Sequence, residues 1–367
     1  MDRKTNIIKV ISLGMVLTGI FAFKNTPPVQ NHHYVGAAGD NFLMYNGKKY
    51  LPGDTVYGYK NYIKMVVGDK DAPLLLGVPH DGQEKGDPEI PESGKTGRDI
   101  NTLPFATAIS NAFIKDTHKK PWMVINSLGR KRMDPNTFPE QVDARYTNED
   151  AKKAWESYHE MMLTARTAIA EAQKSGKGAL FVDIHGHAHT YAAPMPYLTV
   201  GGKLLSSKFI DQTEIGYGLS AEALRMDDAY LDQLADSSTI YAIAKANPGK
   251  KFSSLIRGDE SFGGLLEAEK VHAVPGNDLK APEKNDELFG EGKSGYRPYF
   301  NGGFLVRKYG SAAKGKTTVG FNDNVSALQI ETPGITVRNN DAVIAIAAPR
   351  FERAILKYLK IWYGYKF

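Results

Sequence analysis

Four short runs of apolar residues punctuate this chain: Pro73–Pro79, Trp122–Ile125, Ala179–Val182 and Ala327–Ile330. Each is continuous rather than alternating, which predicts strands buried on both faces, the habit of a mostly parallel sheet. Between the second and third runs the period changes. From Glu149 to Lys174, Trp155, Tyr158, Met162, Ala165 and Ile169 recur at i+3/i+4 spacing, with Asn148 as cap and Glu149 and Asp150 in the first turn. Gly176 and Gly178 then stop the helix and start the third strand, giving a β-α-β unit.

Shorter elements fill the rest. From Phe42 the chain reads as edge β structure with turns at Asn46-Gly47 and Pro52-Gly53. A helix through about Asp116 follows Arg98-Asp99-Ile100, with Asn101 or Thr102 as cap and Phe105, Ile109 and Phe113 inward. Residues 201–325 give only helical patches, Ala221–Leu234 and Ser261–Ala268, and Ala342–Trp362 is an amphipathic closing helix that Pro349 would kink or restart. No internal repeat or second domain is evident. The pattern predicts a single α/β domain over 41–367, a twisted, mostly parallel or mixed sheet flanked by helices.

At 367 residues, 42% hydrophobic and 24% charged, this is an ordinary globular composition with room for a large core. Before that domain, Arg3, Lys4 and Lys9 precede an apolar stretch from Val10 to Phe23 and then Lys24. Residues 1–24 therefore read as an export signal or an uncleaved N-terminal anchor, which predicts a periplasmic or extracellular protein, and residues 25–40 read as a linker. This stretch carries +3 of the formal +5 charge, and no aromatic residues interleave a basic cluster, so a nucleic-acid partner is not expected. With no cysteine, disulfides, thiolate ligands and a cysteine nucleophile are excluded, and any metal must be held by His, Asp or Glu.

Each apolar run ends where chemistry could begin. The first leads to His80, the second to Asn126 with Arg130 and Arg132 beyond, the third to Asp183-Ile184-His185-Gly186-His187, and the last to Glu331. In open α/β sheets ligands sit at the carboxyl ends of the strands. Period 2 puts Asp183, His185 and His187 on one face, and a liganding imidazole usually gives its far N–H to a carboxylate, so Asp183 is a natural companion of His185. His189 lies further into the loop. A catalytic zinc takes three protein ligands and leaves a fourth position for water. His80, His185 and one of Asp99, Glu84 or Asp81 would complete such a set. Glu331, buried in an apolar run, suits a general base beside it. Arg130 and Arg132 suit a substrate carboxylate or a developing oxyanion, and Arg307 after Gly302-Gly303 is a similar candidate. His159, one step off its helix stripe, reads as a surface or boundary histidine.

Taken together, several segments resemble the N-formylglutamate amidohydrolase family, in particular its larger relatives. They are Val78-Pro79-His80-Asp81-Gly82, Gly97 to Thr102, Arg130 to Asn136, Ala154 to His159, Asp183 to His187, Tyr299 to Gly303, and Gln329-Ile330-Glu331-Thr332-Pro333. The resemblance spans about 70 to 340. It implies a fold like that of zinc carboxypeptidases and hydrolysis of the amide in an N-formyl or other N-acyl amino acid. It further implies one Zn²⁺ per chain held by His80 and His185, Glu331 as base, and a substrate carboxylate bound by the arginines near 130, Arg130 and Arg132. Read from the residues themselves, Asn126, His187 and Arg307 are further candidate substrate contacts. One departure stands out. Carboxypeptidases and aspartoacylases draw two ligands from H-x-x-E, whereas Gln83 fills the acid's place here, so Asp99 is expected to supply it. Two other readings fit the same residues: an exported metallopeptidase or cell-wall peptide amidase, or a degenerate site that only binds ligand.

Overall fold

The computed structural model describes residues 41–93, 97–173, 177–188, 195–198, 204–207, 212–282, 299–313 and 320–367. The leader at 1–24, the linker at 25–40 and His189 lie outside them. Two short strands, β1 (Leu43–Tyr45) and β2 (Lys48–Tyr50), form the hairpin expected around Asn46-Gly47, where both turn residues have positive φ. The main strands are β3 (Thr55–Tyr57), β4 (Ile63–Val66), β5 (Leu74–Val78), β6 (Trp122–Asn126) and β7 (Ala179–His187). A small pair, β8 (Met195–Leu198) and β9 (Leu204–Ser207), stands apart. The large sheet is completed by β10 (Thr213–Gly216), β11 (Ala273–Val274) and β12 (Val325–Pro333).

Eight strands join in the order β11-β10-β12-β7-β5-β6-β4-β3. The four apolar runs are the four central strands β12, β7, β5 and β6, all mutually parallel, and the antiparallel strands flank them. Every residue of β5, β6 and β12 is buried. That is why these strands lack polar alternation: helices cover both faces.

On one face Leu180, Val182, Ile184, Leu328 and Ile330 pack with Phe105, Ile109 and Phe113 of α1 (Thr102–Thr117) and with the closing helix Asp341–Tyr363. On the other, Phe181, Val124 and Ala327 pack against Trp155, Tyr158 and Met162 of α3 (Glu149–Ala172), which follows the short α2 (Pro139–Arg145). The α3 cap is as expected, Asn148 accepting from the Ala151 amide at 3.1 Å. The closing helix runs unbroken past Pro349, and the patch at Ala221–Leu234 resolves into two short helices, Ala221–Arg225 and Asp228–Asp232. Among the described residues no helix is long and apolar enough to cross a membrane.

The α1 cap differs from expectation. Asn101 occupies the cap position with φ +66° and makes no capping bond; its amide donates to the Arg338 and Asn339 carbonyls instead. The exposed amides of the first turn are met from the preceding loop, Asp81 accepting from Leu103 at 2.7 Å and from Asn101 at 3.2 Å. A carboxylate there also suits the positive end of the helix dipole.

Candidate metal centre

Because the four central strands are parallel, their carboxyl ends share one rim. On β7 and β12 the stripe facing α3 is apolar at its start (Phe181, Ala327) and turns polar toward that rim. In register, Gln329 lies beside Asp183 and Glu331 beside His185. His80 arrives two residues after β5, and Asp99 hydrogen-bonds back to its carbonyl through the backbone at 3.1 Å. The strand ends thus bring His80, Asp99 and His185 together, their ligand-type atoms all within 4.8 Å of one another and all three residues buried.

The distances around this cluster divide into two classes. On their outer side, His80 Nε2 lies 2.7 Å from Asp134 Oδ1 and His185 Nε2 lies 2.8 Å from Asp183 Oδ2. These are normal charge-assisted hydrogen bonds, and a carboxylate only accepts, so each Nε2 carries the proton. On the inner side, both Nδ1 atoms face the same oxygen, Asp99 Oδ2, at 3.3 and 3.2 Å. That spacing is long for a charge-assisted bond. It is close to the separation of about 3.3 Å between ligand atoms arranged tetrahedrally around one zinc. The donor set of two imidazole Nδ1 atoms and a carboxylate, each imidazole held from behind by its own acid, fits a divalent transition metal.

Charge points the same way. Asp99, Asp134, Asp183, Glu214 and Glu331 are all buried here. Their main counter-charge is Arg130, which donates to Asp99 Oδ1 at 3.3 Å and Asp134 Oδ2 at 3.2 Å; Arg145 reaches Asp134 at 3.5 Å. Burial alone would raise the Asp99 carboxyl, but the imidazoles of His80 and His185 hold it well below the usual range. Burial would likewise raise Asp134, and His80 and Arg130 overcome it. Burial would pull His185 down, yet Asp183, Asp99 and Glu331 hold it well above an ordinary histidine. Imidazoles so rich in acidic neighbours are places where a cation is favoured.

Glu331 sits with Oε1 3.9 Å from His185 Nδ1 and accepts from Gln329 Nε2 at 3.1 Å. Burial pushes its carboxyl up to about 8, with His185 and Arg130 opposing and Asp99 and Glu214 adding to the rise. Glu214 is its cross-strand partner on β10. Of the alternative acids, Glu84 is exposed, and both oxygens of Asp81 are taken by α1 and Arg98. Of the three acids, Asp99 is the one that stands beside both imidazoles.

Four of the residues expected to touch substrate are placed as follows. Arg130 joins the cluster, and its Nη2 makes no hydrogen bond among the described residues. Arg132 does not join, a correction to the expected arginine pair: buried, it is turned to the preceding loop, where it donates to Glu89 at 2.6 Å and to the Ile90 carbonyl. Asn126 is also corrected. Its amide spans the Pro79 and Leu128 carbonyls at 2.9 and 3.0 Å while its oxygen takes the Leu128 amide at 3.0 Å, so it ties the ends of β5 and β6 rather than facing a ligand. Arg307, on the short helix Phe304–Tyr309, is half-buried with no ion pair among the described residues, its two hydrogen bonds, to Gly302 and Asn301, both 3.4 Å.

His187 gives Nε2–H to the Gln212 carbonyl at 2.8 Å and borders a cavity of about 270 Å³ walled by Arg98, Ile100, Gly186, Ala188 and Ile335. His159 departs from expectation too. It is buried, its ring nitrogens 2.7 Å from the Tyr309 hydroxyl and 3.1 Å from the Pro135 carbonyl, and it fixes α3 to the helix Phe304–Tyr309.

The sequence reading passed over Asp134, Gln329, Glu214 and Arg338. Asp134 had a usable signal, since a liganding His80 requires an acid behind it and Asp134 follows the arginines closely. Arg338 had none. It lies at the end of the one-turn π-helix Gly334–Arg338 and donates to the carbonyls of Thr332, Ile100 and His187, so one side chain clamps the ends of β12, β7 and the loop carrying Asp99. Gly186 permits this: a Cβ there would lie 2.1 Å from the guanidinium.

No family model matches the chain, and no curated protein matches it. Among solved structures it is similar to the N-formylglutamate amidohydrolase from Ralstonia eutropha JMP134, at 11% identity and a TM-score of 0.41, over 82% of this chain and 97% of that one. What the centre can do therefore follows from its own geometry.

Proposed function

We propose that this chain is a zinc-dependent hydrolase that cleaves the amide bond of an N-formyl or other small N-acyl amino acid. The observation that carries the reading is the shared approach of His80 Nδ1 and His185 Nδ1 to Asp99 Oδ2, with Nε2 of each held by a separate acid. His80, Asp99 and His185 would hold the metal. When bound, it would polarise the scissile carbonyl and make water acidic enough to attack at neutral pH. Glu331 is the base: its carboxylate takes a proton from the attacking water and passes it to the departing nitrogen. Burial raises the proton affinity of that carboxylate, which strengthens it as a base. Arg130 helps His80 to keep Asp134 ionised and offers Nη2 to a substrate oxygen. Arg307, lacking a carboxylate partner among the described residues, would receive the substrate carboxylate. The amide and acyl specificity rest on the motif resemblance.

Metal analysis paired with a formate-release assay on N-formylglutamate tests this. About one zinc per chain is expected, with activity abolished by chelation and restored by zinc. A purified chain that neither contains nor takes up a divalent metal would refute it. The apolar stretch Val10–Phe23 favours a second reading, an exported peptidase using the same centre. Turnover of short peptides but not of N-formyl amino acids would select it.

A further inference from the structure

Beyond the rim, at the β11 edge of the sheet, a second cavity of about 270 Å³ is lined by Lys270, Val271, His272, Thr336, Val337, Ile346, Ala347 and Arg350. Every ionisable group in this lining is basic. None has an acidic partner among the described residues. Among the described residues Arg350 makes one side-chain hydrogen bond, 3.3 Å to the Lys270 carbonyl, which leaves most of its guanidinium donors unengaged by them. The nearest acid in sequence, Glu269, is turned away onto Arg353 at 2.8 Å and Lys357 at 2.6 Å. The rest of the wall is apolar apart from the Thr336 hydroxyl, and Ile346 is 61% exposed at its mouth. Unpaired cations commonly stand in open solvent. Here they line one concavity together with Val271, Val337, Ile346 and Ala347, a combination suited to an amphiphilic anion.

We propose that this cavity binds a small oxyanion with a short alkyl body, the head group on Arg350 and Lys270 and the alkyl part against Val337, Ile346 and Ala347. None of these residues belongs to the metal centre, so the proposal stands whether or not the hydrolase reading holds. The cavity does share the turn Gly334–Arg338 with the centre's clamp, through Thr336 and Val337.

Carboxylate and phosphate heads share this chemistry. Calorimetric titration of the full chain with hexanoate, butyl phosphate, inorganic phosphate and hexylamine separates them. One of the two alkyl anions should bind once per chain, more tightly than inorganic phosphate, and hexylamine should not bind. Lys270→Glu and Ile346→Glu change exposed positions and should each weaken that binding by about tenfold or more. The preferred alkyl anion identifies the head group. Failure of both alkyl anions to bind, or binding unchanged in both variants, overturns the proposal.

Discussion

Asp134 shows how much of this centre lies one bond behind the residues that would touch a metal. It takes the far nitrogen of His80 at 2.7 Å, and Asp183 does the same for His185 at 2.8 Å. Both imidazoles are thereby turned so that their Nδ1 atoms converge on Asp99 Oδ2. Asp134→Asn keeps the shape but weakens that orientation and should lower zinc affinity about 10- to 100-fold, measured by competition with a chelating dye. Glu331 plays a different part, near the cluster but outside it. Glu331→Gln should retain zinc while kcat falls about 10²- to 10⁴-fold. Loss of metal in that variant would instead make Glu331 a ligand. The arginines were the hardest residues to judge from sequence. Arg130 and Arg132 are two positions apart, yet one faces the rim acids and the other Glu89 and Ile90. Spacing in a loop does not decide direction.

The elements themselves were far more legible. Continuous apolar runs, the Asn148 cap and the α3 stripe each reflect local physics, and each appears where expected. Local signals failed where a distant group intervened, as when Asp81 rather than Asn101 meets the first turn of α1. The closing helix carries a similar surprise in Glu352, buried with one carboxyl oxygen lacking a hydrogen-bond partner among the described residues. Burial pushes that carboxyl up to about 7, with Asp116 and Glu269 adding and Arg353 opposing. A carboxyl whose value is raised on folding costs nothing below about 4.5, where it is protonated both folded and unfolded. Its cost grows as pH climbs from about 4.5 to about 7 and is level above that. Glu352→Gln should therefore be near neutral at low pH and stabilise by on the order of 1–2 kcal/mol above neutrality, read from urea unfolding at two pH values.

At the scale of the whole molecule, the centre joins segments that are far apart in the chain. His80, Asp99, Asp134, His185 and Glu331 meet because four parallel strands end together and Arg338 clamps the loops between them. Zinc bound there would link β5, β7 and the loop before α1 in the native state only. At a free concentration of about 100 times Kd it should add about 2.7 kcal/mol and raise the melting temperature by several degrees. His185→Ala should abolish that rise, and calorimetric scans with and without metal check it.

By itself the sequence determined the β-α-β plan, the burial of the four central strands on both faces, and the chemistry waiting at their ends. Those follow from periodicity, capping and composition, which act over a few residues. Only the tertiary structure decided which acid stands between the two histidines, which arginine joins them, and which asparagine is spent tying loops together. Each of those depends on charges and hydrogen bonds between residues tens to hundreds of positions apart, and their partners are chosen by packing rather than by spacing.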